Sequence, residues 1–196
     1  MVVLFGEIMR TLVIVSHPNL DSSVANNVII DHLKKSSSLI KIRHLDSLYL
    51  DYKIDVIAEQ AELLLADTIV FQFPFYWYSS PAMLKHWLDQ VLTFNFAYGP
   101  QGDKLKGKNL LISTTIGGPQ SSYQPLGYNH FQVTELLRPF EQTAYLTGMN
   151  YLSPIFTHGC VYIPGVYNTK EEVEESAHTH AKRVLEFLAE LSKESL

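Results

Sequence analysis

Four consecutive aromatic side chains, Phe75, Tyr76, Trp77 and Tyr78, stand between Pro74 and Pro81, with Ser79 and Ser80 closing the run. Aromatic residues are ordinarily spread through a core because each buries a large area. Placed side by side at a strand-to-helix turn, they make a wall suited to a flat, partly polar ligand. Two other turns carry groups of complementary use. The segment Ser16-His17-Pro-Asn-Leu-Asp-Ser-Ser23-Val24-Ala25-Asn26 offers hydroxyls, an imidazole and backbone N–H groups at the start of a helix, an arrangement that holds phosphate. Thr115-Ile116-Gly117-Gly118-Pro119 pairs two glycines, which let a backbone approach a flat group closely. Each has an everyday alternative: an N-cap, an exposed or dimer-buried aromatic patch, and an ordinary tight turn. The first loop contains no glycine and matches neither a P-loop nor a Rossmann fingerprint.

The elements that must position these turns alternate between strand and helix. Leu12–Val15, Leu39–Leu45, Thr68–Phe73, Asn109–Thr115 and a stretch around Ile155–His158 read as strands, most of them short apolar runs of the buried parallel kind. Helices are expected from about Ser23, with Asp21, Ser22 or Ser23 as N-cap, to the Ser36–Ser38 cluster, over Asp55–Ala66 with Ile57, Ala61, Leu64 and Leu65 inward, and from Pro81, capped by Ser80, to about Leu92. A further helix restarts at Pro139 and closes at Gly148, and the last begins near Thr169, burying Val173, Ala177, Ala181, Val184, Leu188 and Leu191. This order predicts an α/β chain: a flavodoxin-like, doubly wound, five-stranded parallel sheet with helices on both faces. In that architecture the three turns share the edge where the strands' C-terminal ends lie. One domain over 1–196 is expected, with 1–9 as an N-terminal extension and Met9 as an alternative start.

Composition narrows the classes. At 196 residues, with a net charge of −5, the chain lacks the basic surface that nucleic acid requires. No apolar run approaches the roughly 20 residues that span a bilayer. Cys160 is the single cysteine, which excludes an intramolecular disulfide and points to the cytoplasm.

The sequence resembles the flavodoxin-like NAD(P)H:quinone oxidoreductases, a family that includes mammalian quinone reductase and the bacterial ancillary flavoproteins of glutathione-gated potassium efflux systems. The resemblance is carried by Ser16-His17-Pro18, Ser23-x-Ala25-Asn26, Phe71-Gln-x-Pro74-x-x-Trp77-Tyr78-Ser-x-Pro81-x-x-Leu84-Lys-x-Trp87, Phe96-Ala-Tyr-Gly99 and Thr115-x-Gly117-Gly118. It covers about Thr11 to Phe156. It implies a flavin site in which His17, Ser23, Val24, Ala25 and Asn26 hold the phosphate. Phe75, Tyr76, Trp77 and Tyr78 would hold the isoalloxazine edge, and Thr115, Ile116, Gly117 and Gly118 would lie along the pyrimidine end. The family also uses a tyrosine and a histidine after the glycines; Tyr123 and His130 match, at a spacing one residue longer than the family's, with Tyr128 between them.

The implied activity is two-electron hydride transfer from NADH or NADPH, through flavin N5, to a quinone. The short chain resembles the FMN-type members, with FAD as the alternative. The family is dimeric, each flavin site being completed by the partner chain, and Phe94, Phe96 and Tyr98 are read as exposed aromatics consistent with such an interface. Two other roles stand beside it: a regulatory flavoprotein bound to a membrane transporter, peripheral at the inner face of the membrane, and an electron carrier like true flavodoxins. Among the remaining groups, His178 and His180 point to different helix faces and make a poor metal pair. Lys104, Lys106 and Lys108 read as a solvated loop that could attract a nicotinamide nucleotide, Cys160 as a packed small hydrophobe, and Asp55, Glu59 and Glu62 as a polar helix face.

Overall fold

The computed structural model describes residues 9–194. The extension expected over 1–9 therefore lies, apart from Met9, outside the described residues. A parallel sheet runs through the molecule, formed by β1 (Thr11–Val15), β2 (Ile40–His44), β3 (Thr68–Pro74), β4 (Asn109–Thr115), β5 (Asn150–Tyr151) and β6 (Ile155–Thr157). The order is β2-β1-β3-β4-β5, with β6 also paired to β4. The expected fifth strand is thus divided: β5 pairs with Asn109–Leu110 and β6 with Ser113–Thr115. Leu152 N–H still reaches the Leu110 carbonyl at 2.9 Å. Pro154 has no N–H to continue the ladder, and the strand breaks there.

Every residue of β1 and β3 is buried, as central strands covered on both faces must be. Val13, Val15, Val70 and Leu111 pack under α1 (Val24–Ser36) and the C-terminal helix, Lys170–Glu194. Leu12, Ile14, Ile69, Phe71, Phe73, Leu110 and Ile112 face the opposite layer. That layer is built from α2 (Leu45–Leu48), α3 (Val56–Leu65), α4 (Ala82–Val91), α5 (Val133–Leu136) and α6 (Arg138–Thr147). The C-terminal helix is α7, and it buries Val173, Ala177, Ala181, Val184 and Leu188 as its spacing predicts. Gly148 ends α6 with φ of 71°, the left-handed conformation that favours glycine at a helix C-terminus. Pro81 has ψ of 154° and stands just outside α4 rather than as its first residue. No helix among the described residues is long and apolar enough to cross a membrane.

The inward face of α3 differs from the one its spacing suggests. Ile57, Leu64 and Leu65 are exposed, whereas Leu63 and Glu59 are buried. Glu59 is not part of a solvated polar face: its side chain has no exposure at all. It pairs with the Arg43 guanidinium from β2, accepts from the Tyr49 hydroxyl at 2.5 Å and accepts from Trp87 Nε1–H of α4 at 3.0 Å. These polar partners outweighed the apolar pattern, because a buried carboxylate without them would cost several kcal/mol. Lys108 also leaves the expected solvated loop, donating to the Leu64 and Ala66 carbonyls at the C-terminal end of α3. It stands just before β4, at the end of the sheet away from Thr115, so it cannot attract a ligand to the three turns. Phe96 is buried rather than exposed, while Phe94 and Tyr98 remain at the surface.

A second polar system crosses the α1/α7 side. Gln72 Nε2–H donates to Asn26 Oδ1 at 3.0 Å, and Ser113 Oγ–H donates to Gln72 Oε1. Ser113 must then accept from His180 Nε2–H at 2.8 Å, and His180 Nδ1 accepts from the Thr157 hydroxyl at 2.8 Å. His178, two positions away, instead meets His32 on the surface, so the two histidines do face differently.

Each system yields a test. Glu59→Ala leaves Arg43, Tyr49 and Trp87 facing an empty acceptor and should cost about 3–5 kcal/mol, read by urea unfolding followed through tryptophan fluorescence. Glu59→Gln, which retains an acceptor, should cost less. Burial, with the Arg183 charge adding to it, pulls the His180 imidazole down from 6.5 to about 4. Between those values the unfolded chain binds a proton that the folded chain refuses. This contribution to stability is therefore complete above pH 6.5 and is lost as the pH falls towards 4, at up to about 1.4 kcal/mol per pH unit. His180→Gln should flatten that part of the stability-versus-pH curve relative to wild type; equal slopes would show that His180 does not titrate this way.

Candidate functional site

The strand order reverses between β1 and β3, because the chain leaves β1 towards β2 on one side and later returns on the other. Loops after these two strands diverge to opposite faces and open a crevice at their C-terminal ends, the usual ligand position in such sheets. Ser16 N–H donates to the Gln72 carbonyl at 3.1 Å, carrying the pairing one residue past β1. An unanticipated carboxylate then fixes the loop: Asp46 of α2 accepts from Ser16 Oγ–H at 3.1 Å and from His17 N–H at 2.8 Å. His44 Nε2–H donates to the His17 carbonyl at 3.0 Å. His17 is buried, and its Nδ1 accepts from Asn19 N–H at 3.1 Å, which leaves the ring proton on Nε2 in the neutral form. Burial lowers the His17 pKa, Asp46 opposes that, and His44 lowers it further.

The loop ends at Ser23, whose Oγ caps α1 by accepting from Asn26 N–H at 3.2 Å and from Asn26 Nδ2–H at 3.1 Å. Asn26 also donates to Thr115 Oγ1 at 3.0 Å. Asn26 and Thr115 are thus buried bolts between the first and third turns rather than exposed ligand groups. Val24 and Ala25 N–H, by contrast, have no acceptor among the described residues. With the helix dipole behind them, N–H groups so placed are suited to attract an anion.

In the aromatic turn, Phe75 N–H donates to the Thr115 carbonyl at 2.8 Å and its side chain turns into the core, so Phe75 supports the wall from behind. Trp77 and Tyr78 follow with φ of 46° and 63°. Two consecutive left-handed non-glycine residues are uncommon and costly, a feature that clusters at functional sites. The turn leaves Trp77 92% exposed and Tyr76 and Tyr78 each 43% exposed. Their backbone is available as well, since Trp77 and Tyr78 N–H have no acceptor among the described residues. Tyr76 stands beside the His17 ring, with centroids 6.1 Å apart, joining the second turn to the first.

In the third turn Ile116 is fully buried and donates its N–H to the Thr157 carbonyl at 2.8 Å, while Gly117 and Gly118 N–H have no acceptor among the described residues. Tyr123 packs beside Gly118: its Cε2 would stand 3.3 Å from a Cβ added there. The ring neighbours of Tyr123 are Phe75 at 6.2 Å and His158 at 5.3 Å. His130 is not among them; it lies exposed in a turn with φ of 63°. Its neighbour Asn129 instead accepts from the Tyr78 hydroxyl at 3.1 Å and ties this loop to the aromatic wall. The structure therefore gathers His17, Ser23–Asn26, Phe75–Tyr78, Thr115–Gly118 and Tyr123 at one edge. It adds Asp46, Gln72, Asn129 and His158, of which only Gln72, a polar residue inside an apolar strand, left a mark in the sequence.

These donors fit a phosphorylated flat ring. Free N–H groups at the start of α1 suit a phosphate; those of Trp77, Tyr78, Gly117 and Gly118 suit the polar atoms of a planar ring beside an exposed aromatic wall. Comparison with known proteins agrees in fold and relatives. Residues 9–186 match a family described as having a flavodoxin-like fold. The chain is 43% identical over 176 residues to the uncharacterized NAD(P)H oxidoreductase YdeQ of Bacillus subtilis, covering 90% of this chain and 86% of that protein. It is 37% identical over 180 residues to the glutathione-regulated potassium-efflux system ancillary protein KefG of Enterobacter sp., covering 92% and 93%. Among solved structures, general stress protein 14 of Treponema denticola in complex with FMN superposes with a TM-score of 0.82 at 35% identity, covering 93% of this chain and 99% of that one. An NADPH-quinone reductase from P. pentosaceus gives 0.75 at 32%, covering 89% and 97%. The chain belongs to the flavodoxin-like family that contains the NAD(P)H oxidoreductases and quinone reductases together with the KefG-type ancillary proteins.

Proposed function

We propose that this protein binds FMN and acts as an NAD(P)H:quinone oxidoreductase. The observation that carries the reading is the set of unpaired N–H groups at Val24, Ala25, Trp77, Tyr78, Gly117 and Gly118, all on loops at one edge of the sheet. The FMN complex of a relative with the same fold supports it. FMN would supply a two-electron carrier between NAD(P)H and the quinone; FAD is the alternative flavin. The chain's own part is binding and orientation. Val24 and Ala25 N–H, with the Ser23 hydroxyl, would hold the phosphate. Trp77, Tyr78, Gly117 and Gly118 N–H would fix the ring's polar atoms, leaving one ring face for nucleotide and quinone in turn. Tyr123 and His130 are the tyrosine and histidine proposed to stabilise charge at the pyrimidine end.

The site also favours a homodimer. A groove of about 420 Å³ between α4 and α6 is lined by Leu88, Leu92, Tyr98, Phe140 and Leu146 beside the exposed Phe94. A second copy seated there would lie next to the aromatic turn. The likeness to KefG supports a second reading, a flavoprotein that docks on a transporter, and the two roles are compatible.

Purified protein should be yellow, or should take up FMN, and the released flavin can be identified by chromatography. Ser23→Ala removes both the cap and a hydroxyl at the phosphate, and should weaken FMN binding about tenfold. Steady-state assays with NADH and NADPH against a soluble quinone test the oxidoreductase reading. Protein that binds flavin yet turns over no quinone, and co-purifies with a membrane transporter, would favour the second reading. Protein that takes up neither FMN nor FAD would overturn both.

A further inference from the structure

We propose that His158 is the positioning residue for the ring end of this site, the histidine that holds the Gly117–Gly118 turn and Tyr123 in register with one another. The inference rests on the flavin-binding reading above. His158 follows β6 directly, and its Nδ1 lies 3.1 Å from the Gly118 carbonyl oxygen. A carbonyl only accepts, so Nδ1 carries the proton. Gly159 N–H donates to the same oxygen at 3.3 Å, so two donors from one loop clamp it. The two segments are laced together on either side as well, by Ile116 N–H to Thr157 at 2.8 Å and Cys160 N–H to Ile116 at 2.9 Å.

The clamp decides where the glycines face. With the Gly118 carbonyl drawn towards β6, the ψ of Gly118 is set, and glycine is the residue whose backbone most needs such an external constraint. The same imidazole supports Tyr123 with its ring, tilted 50° at 5.3 Å, and is itself held edge-on by Phe156 at 5.7 Å and 89°. One side chain therefore orders both the backbone and the tyrosine at this end. Burial lowers the His158 pKa and the bond to Gly118 opposes that, so a neutral donor is what the turn meets near pH 7. His130 makes no such contacts from its exposed turn.

The test separates the donor from the ring. His158→Phe keeps the aromatic packing and loses the N–H; His158→Asn keeps a side-chain N–H near the Nδ1 position and loses the ring. FMN affinity is measured by quenching of flavin fluorescence on the flavin-free protein, with thermal unfolding as the check on folding. The Phe variant should bind FMN about tenfold more weakly while melting close to wild type, and the Asn variant should recover to within about threefold. In wild type, ¹⁵N imidazole shifts should show Nδ1 protonated in the flavin-free protein and perturbed on FMN addition, a readout that needs no variant. Wild-type affinity in the Phe variant, no rescue by Asn, or imidazole shifts indifferent to FMN would overturn the inference, as would a loss of affinity confined to His130→Ala. Wild-type protein that takes up no flavin overturns the flavin reading together with this one, whereas tight wild-type binding with an unaffected Phe variant overturns this one alone.

Discussion

A single carboxylate without solvent fixes the layer on which two of the three ligand loops depend. Glu59 is tolerable in the interior only because Arg43, Tyr49 and Trp87 converge on it. Those partners come from β2, the residue after α2 and α4, so satisfying one charge locks these elements to α3. The consequences reach the site indirectly. Between Arg43 and Tyr49 lies Asp46, which fixes the backbone at Ser16 and His17. Trp87 sits on the helix that begins where the aromatic turn ends, with its ring against Phe71 of β3.

The opposite side of the sheet is ordered by a different kind of polar interior. The chain from Ser23 through Asn26, Gln72, Ser113 and His180 to Thr157 carries no formal charge, and each link pairs a donor with a fitting acceptor. Such a thread avoids the desolvation cost of an ion pair yet permits only one arrangement of its members. It joins the cap of α1, the centre of the sheet and α7, and the last-named helix thereby steadies a loop from which it is remote in sequence. Both systems spend side-chain hydrogen bonds on placing backbone, and no buried side-chain nitrogen or oxygen among the described residues is left without a partner. The backbone N–H groups of Val24, Ala25, Trp77, Tyr78, Gly117 and Gly118 in the three turns, by contrast, have no acceptor among the described residues.

Much of this was legible in the sequence where one physical rule dominates. Buried parallel strands announce themselves as apolar runs, and β1, β3 and β4 begin and end within a residue of expectation. Gly148 marks the end of α6, and the cap of α1 is Ser23, one of the three candidates Asp21, Ser22 and Ser23, because capping chemistry is local. The three turns came together because topology alone sends every strand's C-terminal end to one edge. What failed depended on partners distant in sequence. The buried face of α3 departs from its apolar spacing because Glu59 answers to Arg43 and Trp87, which periodicity does not encode. Asp46 and His158 bear no local signature, since their roles exist only once α2 lies under the first loop and β6 lies beside the third. Phe96 looked like a neighbour of the exposed Phe94 and Tyr98, and its burial is set by the fold of a loop too irregular to have a period.

The divided fifth strand has a consequence for how copies of this chain meet. On that border the sheet ends in a pair of residues, a gap at Pro154 and three more residues, too broken to template another strand. The other border, β2, carries Lys41 and Arg43, charges that make it a poor template as well. Main-chain ladders between molecules are thus discouraged at both ends of the sheet, and association is left to the helical faces. Crowded folded molecules are correspondingly shielded from growing edge to edge into extended β aggregates.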